Sequence, residues 1–243
     1  MLKLTIYLDA ETLPPLYNNE QLETFKQNLK VDGRIKKEEA IQKWIEENWE
    51  EKFRKLGTDT SKADLATLAF SINKEKVRCF INEESDGKRF NEDLINAFYE
   101  AIREKVIEMS DFDISELSDE EKDNDEFMKF VDIKWCGFNI RKFDLDLLWK
   151  HAIKAKNRKL QRLIPRGRFD NNVIDLMEVY NGPEIKYTSQ QEVCDFLGIK
   201  GKPDDIDGSQ VFDYWIADRK EEIAEYNIFD VEKVIEMEEL LLG

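Results

Sequence analysis

The sequence predicts an α/β domain built on a mixed β-sheet with helices packed on its faces. Three observations predict it: a period-two strand at the N-terminus, a pair of short β-rich runs around Asn73-Lys74-Glu75, and alternation of strand and helix from about residue 131 onward. A length of 243 residues, 41% of them apolar, suffices for one large domain with a substantial core. One domain over 1–243 is therefore expected, interrupted by an acidic helical insertion at about 14–62 and an acidic loop at about 110–126.

Within residues 2–10, Leu2, Leu4, Ile6 and Leu8 alternate with Lys3, Thr5, Tyr7 and Asp9, the period of a strand. Pro14 and Pro15 end it, since proline cannot donate to a ladder. In the following insertion Ile41, Trp44, Ile45, Trp49, Phe53 and Leu56 recur every three or four residues, an amphipathic stripe read as packing surface. Residues 66–72 and 76–81 form a hairpin. A helix spans about 91–109, with Leu94, Ile95, Phe98, Ile102 and Val106 inward. Residues 110–126 carry nine acids and one Lys and read as a solvated loop. Then follow a strand at 131–136, a helix at about 143–162, a strand at 173–177, and helices near 188–197, 209–217 and 219–241.

Composition excludes several classes. Cys79, Cys136 and Cys194 are odd in number and far apart, and His151 is the only histidine, which argues against a zinc site or a disulfide framework and fits a reducing cytoplasm. No apolar run approaches the length of a membrane span, and the N-terminus lacks a signal-peptide h-region, so a cytoplasmic protein with no membrane association is expected. A net charge of −16 at first argues against a nucleic-acid partner. Exposed charges are screened over about 8 Å, however, so local distribution matters more than the total. Divalent cations also need carboxylates and reverse the sign of the site that holds them.

Three segments carry candidate chemistry. In Asp9-Ala10-Glu11 two carboxylates share one face of a strand end, an arrangement suited to shared metal ligands, though this motif alone reads more simply as a solvated strand end. The run from Gly137 to Asp144 leaves a strand and enters a helix at the carboxyl edge of the sheet, where α/β proteins place ligands; Asp144 there is either a site acid or a helix cap. In Tyr226-Asn227-Ile228-Phe229-Asp230 the tyrosine and the aspartate, four apart, share a helix face; alone the pair reads as a surface tyrosine beside a solvated acid.

Taken together, these motifs resemble the DnaQ-like or DEDD exonucleases, in the subclass with tyrosine in the third motif. The stretch with FLGIKGKPDDIDGSQV and EIAEYNIFDV looks especially like stand-alone exonucleases related to the exonuclease domain of family B DNA polymerases. The resemblance implies an RNase H-like fold and 3′-5′ hydrolysis of phosphodiesters, with two Mg²⁺ or Mn²⁺ ions roughly 3.5 to 4 Å apart. It implies that Asp9 bridges the ions, that Glu11 and Asp230 help hold the one activating water, that Asp144 acts through the water shell of the second, and that Tyr226 orients the attacking water. Thr12 and Leu13 would touch and wedge the terminal nucleotide, and Asn139 would contact substrate. The insertion at 14–62 and the acidic loop have no counterpart in that resemblance.

Eight Lys or Arg and no acid fall between Lys150 and Arg168, so Lys154, Arg158 and Arg162 are candidates for substrate phosphates, against the alternative of a solvated face balancing acidic neighbours. His151 reads as an exposed helix residue. The expected substrate is a nucleic acid with a free 3′ end, most simply single-stranded DNA, with a replication or repair partner compatible. An exoribonuclease on the same fold and a non-catalytic nucleic-acid-binding module are the alternatives; the latter should have lost carboxylates, and all four are present.

Overall fold

A computed structural model describes residues 1–83, 92–110, 125–184, 186–200 and 206–243. Most of the acidic loop expected at 110–126 lies outside them, as does the middle of the KGKPDDID segment. Strand β1 (Leu2–Leu13) is followed by helices α1 (Asn19–Gln27) and α2 (Glu38–Arg54), then β2 (Asp64–Ile72), β3 (Arg78–Ile81) and α3 (Glu92–Met109). The second half runs β4 (Val131–Gly137), α4 (Asp144–Lys154), α5 (Arg158–Leu163), β5 (Val173–Asp175), α6 (Leu176–Asn181), α7 (Gln190–Leu197), α8 (Val211–Ile216) and α9 (Lys220–Leu242). No helix among the described residues is long and apolar enough to cross a membrane.

The sheet is five-stranded, in the order β3-β2-β1-β4-β5. Central β1 pairs antiparallel with β2 and parallel with β4, so the carboxyl ends of β1 and β4 open at the same edge. The period of two sorts β1 onto two cores. Leu4, Ile6 and Leu8 pack with α3, α4 and Trp135 on one face, while Tyr7 packs with Val231, Val234 and Met237 of α9 on the other. Asp9 and Glu11 continue the Tyr7 face, which aims them at α9. Phe70, Phe98 and Trp135 are all fully buried, and Phe98 stacks edge-on against Phe70 at 4.9 Å. Each such burial contributes about 1.5–3 kcal/mol.

The hairpin expected around Asn73 is present, with Asn73 and Lys74 both at positive φ, the backbone of a tight primed turn. Strand β1 runs to Leu13, where Pro14 and Pro15 end it, with its register shifting between Glu11 and Thr12. Two expected element bounds are corrected. The single helix expected over 143–162 is two, because Lys156 adopts φ 54 and the Asn157 side chain caps a new helix through Leu160 N. The strand expected over 173–177 stops at Asp175, whose carboxylate caps α6 through Met177 N. The stripe on α2 is packing surface, half-buried: Phe53 meets Tyr17, Phe25 and Phe212, and Arg54 pairs with Asp213 at 2.7 Å.

His151 is also corrected: it is buried, not exposed, with Nε2 3.1 Å from the Ala63 carbonyl oxygen. Burial first, then the charge of Lys154, pulls its imidazole from 6.5 down to about 4. The folded state therefore resists the proton that the unfolded chain accepts, so this contribution is whole above pH 6.5 and is lost as pH falls toward about 4. On the order of 3 kcal/mol should disappear across that window. Urea melts of wild type and His151→Gln at neutral and acid pH isolate it: the stability gap between the two proteins should narrow with acid, and a constant gap would deny the imidazole this role.

Candidate active site

The site forms where β1, the β4–α4 loop and α9 converge at the open edge of the sheet. Asp9 and Glu11 are supplied by β1 just before its register shift. Asp230 comes from α9 and is 3% exposed. One carboxylate oxygen from each of these three residues lies within 4.8 Å of the others. That spacing is close to the span of one hard divalent ion, whose oxygen ligands sit at about 2.0–2.6 Å.

Asp144 opens α4, and its Oδ1 accepts a hydrogen bond from Ala10 N at 3.1 Å. Its side chain thus ties the second motif to the strand of the first, rather than merely capping its own helix. Burial, then the charge of Asp9, holds its carboxyl well above the usual carboxylate range. A cation between them would reverse that effect. Tyr226 lines the same depression as the four acids, a cleft of about 810 Å³. Burial, followed by the charges of Glu11, Asp230 and Asp9, raises its hydroxyl above the ordinary tyrosine range. Tyr226 is therefore a protonated hydroxyl at neutral pH, able to donate and accept but not to act as a phenolate base. The same negative field reaches Cys79, whose thiol burial and then Asp9 and Glu11 help push up to about 12.

Two positioning groups escaped the sequence reading. Asn227 is fully buried; its amide nitrogen donates to Asp9 Oδ2 and its oxygen accepts from the Thr67 hydroxyl at 3.0 Å. Its only sequence signal was a polar residue inside the Tyr226–Asp230 turn, on the face that carries Ile223, Asp230 and Val231. Asp175, 2% exposed, accepts from Asn139 N at 3.0 Å and Arg141 N at 3.1 Å, bracing the loop that leads to Asp144. An acid directly after Val173-Ile174 was the available clue. Gly137 starts this loop where a Cβ would lie 2.7 Å from the Ile140 side chain and 2.9 Å from Leu8 O, so no larger residue fits without moving the strand. Asn139 follows at φ 55, a conformation asparagine tolerates.

The remaining expected residues separate. Asn139 lines the cleft, together with Phe143, Tyr187 and Gln190. Thr12 spends its hydroxyl on Gly57 O at 2.7 Å. Leu13 is wholly buried in a cluster with Ala66, Val211 and Trp215, so the wedge expected of it is corrected to core packing. Arg158 and Arg162 line a different depression with Trp149 and Ile153, and neither they nor Lys154 line the carboxylate cleft. Much of the rest of that basic stretch neutralises acids: Lys150 and Arg166 hold Asp146, each at 2.6 Å, and Lys159 holds Asp125 at 2.8 Å.

The sequence model of a family described as a predicted 3′-5′ exonuclease related to the exonuclease domain of PolB matches residues 96–234. In fold, the chain is similar to the family B DNA polymerase from the hyperthermophilic archaeon Pyrobaculum calidifontis, with a TM-score of 0.50 and 16% identity. That match covers 98% of this chain but only 24% of the polymerase, and it places the sheet and helices in the RNase H-like class. No curated protein matches the sequence.

Proposed function

The chain belongs to the family of 3′-5′ exonucleases related to the exonuclease domain of PolB, and from that premise we propose that it removes nucleotides from the 3′ ends of single-stranded DNA at the carboxylate cleft. The observation that carries the proposal is the meeting of Asp9, Glu11 and Asp230 within 4.8 Å, beside Asp144 and Tyr226. The donor set is all carboxylate oxygen, which suits the hard ions Mg²⁺ and Mn²⁺ better than zinc, whose usual partners are Cys and His. Two such ions, when bound, supply charge neutralisation at the scissile phosphate and a more acidic water.

The chain's own groups do the rest. Asp9, Glu11 and Asp230 hold the cations, and Asp144 completes the cleft from its anchor on Ala10 N. Asn227 fixes the Asp9 carboxylate so that it need not reorganise when substrate arrives. The Tyr226 hydroxyl, kept protonated, hydrogen-bonds the attacking water and aligns it with the phosphorus. Asn139 and Tyr187 border the place of the terminal nucleotide. The whole chain from 1 to 243 acts as one exonuclease domain, with work in replication or repair as its setting.

Oligonucleotides of the same sequence in DNA and RNA, labelled at the 5′ end and incubated with the protein and Mg²⁺, test this directly. A ladder shortening from the 3′ end, faster on single-stranded DNA, is expected. Release of the labelled 5′ nucleotide, or internal cuts alone, would refute the polarity. Faster loss of RNA would reassign the sugar preference.

A further inference from the structure

Beside the carboxylate cleft lies a second groove, of about 700 Å³, between the Arg141-Lys142 loop, the 165–169 segment and the end of α6. The two depressions share their borders. Asn139, Phe143 and Asp144 line the cleft while Arg141 and Lys142, between them in the chain, line the groove; Tyr187 lines the cleft while Lys186 lines the groove.

Its charges sort into two kinds. Arg141 is committed to Glu178 and to the Gly167, Asp170 and Val173 carbonyls, and Arg166 to Asp146 and the face of Trp149. These bonds build the walls. Lys142, Arg168 and Lys186 are exposed and make no ion pair with any described residue. Among the described residues, Glu184 lines the groove beside them and Glu192 feels the charge of Lys186, so the three exposed cations outnumber the acids they face in a chain whose net charge is −16. An apolar ring stands among these cations: Phe169 is 84% exposed, with the Arg168 guanidinium 5.5 Å from its centroid, and Tyr187 at the cleft border is 74% exposed.

Exposed aromatics interleaved with exposed cations along a groove are the recognition pattern of single-stranded polynucleotides, in which bases stack on rings and phosphates meet Lys or Arg. We propose that this groove binds the single-stranded stretch leading to the reacting terminus, with Phe169 stacking one base and Lys142, Arg168 and Lys186 meeting phosphates. The proposal rests on the exonuclease reading of the neighbouring cleft. It moves the polynucleotide track away from Lys154, Arg158 and Arg162, which border other ground. It would favour single strands, whose unpaired bases are free to stack on Phe169.

The test separates groove from cleft. In Lys142→Ala/Arg168→Ala/Lys186→Ala, all three changes are at exposed positions. Hydrolysis of the p-nitrophenyl ester of thymidine 5′-monophosphate, which occupies the terminal-nucleotide position alone, should equal wild type. Binding of fluorescent oligothymidylate of about a dozen nucleotides, measured on an Asp9→Asn background that spares the strand, should weaken at least about tenfold, with a salt slope lower by about 2. Phe169→Ala should weaken the same strand roughly 5- to 100-fold and leave a duplex of equal length unaffected. Unchanged oligothymidylate binding by the triple variant would overturn the proposal, as would equal loss of duplex binding in Phe169→Ala. If wild type cleaved neither the ester nor the oligonucleotide, the exonuclease reading would fail, while the binding arm would still decide the groove.

Discussion

Asp9→Ala leaves almost no hydrolysis, a loss of several orders of magnitude, while the protein still folds and still binds single-stranded DNA. The expectation follows from position. Asp9 is the acid that meets every other part of the site: Glu11 and Asp230 through the shared oxygen cluster, Asp144 through charge, and Asn227 through its amide. Removing its carboxylate takes away a proposed cation ligand, one of the three acids whose oxygens meet within 4.8 Å. Truncation to alanine also strands the buried Asn227 amide nitrogen, at a cost of about 1–3 kcal/mol. Asp9→Asn keeps an acceptor for that amide and removes only the charge, so it should melt above Asp9→Ala while being equally inactive. Tyr226→Phe offers the contrast. It keeps the ring in its pocket and deletes the hydroxyl, so a partial loss of roughly 10- to 100-fold is expected, the range of groups that act beside a metal site rather than on it. Rates on labelled single-stranded DNA, compared after circular dichroism, read all three. Full activity in Asp9→Asn would remove the mechanism; wild-type activity in Tyr226→Phe would remove only the role of the hydroxyl.

Withdrawal of divalent metal abolishes turnover, and Mg²⁺ or Mn²⁺ restores it. Three carboxylate oxygens within 4.8 Å, with a fourth acid held above its usual range by burial and Asp9, form a cluster whose members repel one another. A bound cation relieves the repulsion, so metal should stabilise the fold as well as enable the reaction. At one hundred times the dissociation constant the gain is about 2.7 kcal/mol. Metal-stripped protein should therefore be inactive and melt lower, and both properties should return together as Mg²⁺ is added. Activity that survives stripping would contradict the assignment, as would a melting temperature indifferent to metal in an active protein.

The parts of the fold legible in the sequence were those governed by local rules. The alternation of Leu4, Ile6 and Leu8 with Thr5, Tyr7 and Asp9 marks β1 because the two faces meet different helices. Asn73 and Lys74 mark the hairpin, and the stripe of Leu94, Phe98 and Ile102 marks α3. What stayed hidden depends on contacts between distant segments. The break between α4 and α5 has neither Pro nor Gly at Lys156, so the apolar pattern reads through it. His151 is buried by Ala63, 88 residues earlier, a partner no local window contains. Leu13 sits beside the Asp9-Ala10-Glu11 motif in sequence, yet the continuation of β1 carries it into the core with Val211 and Trp215. Within the site, the acids stood out because three motifs place carboxylates at recognisable spacings. Asn227 and Asp175 did not, because their roles lie in bonds to Asp9 and to the Asn139–Arg141 backbone that only the folded chain creates.

The central claim is that Asp9, Glu11 and Asp230, with Asp144 beside them, hold the divalent ions of a 3′-5′ exonuclease. Its most direct measurement is titration of metal-stripped protein with Mn²⁺, followed by the electron paramagnetic resonance signal of the free ion, for wild type and Asp9→Asn. Wild type should deplete the free-ion signal at stoichiometric Mn²⁺, and Asp9→Asn should leave it nearly undiminished over the same range. Superimposable titrations of the two proteins would contradict the claim.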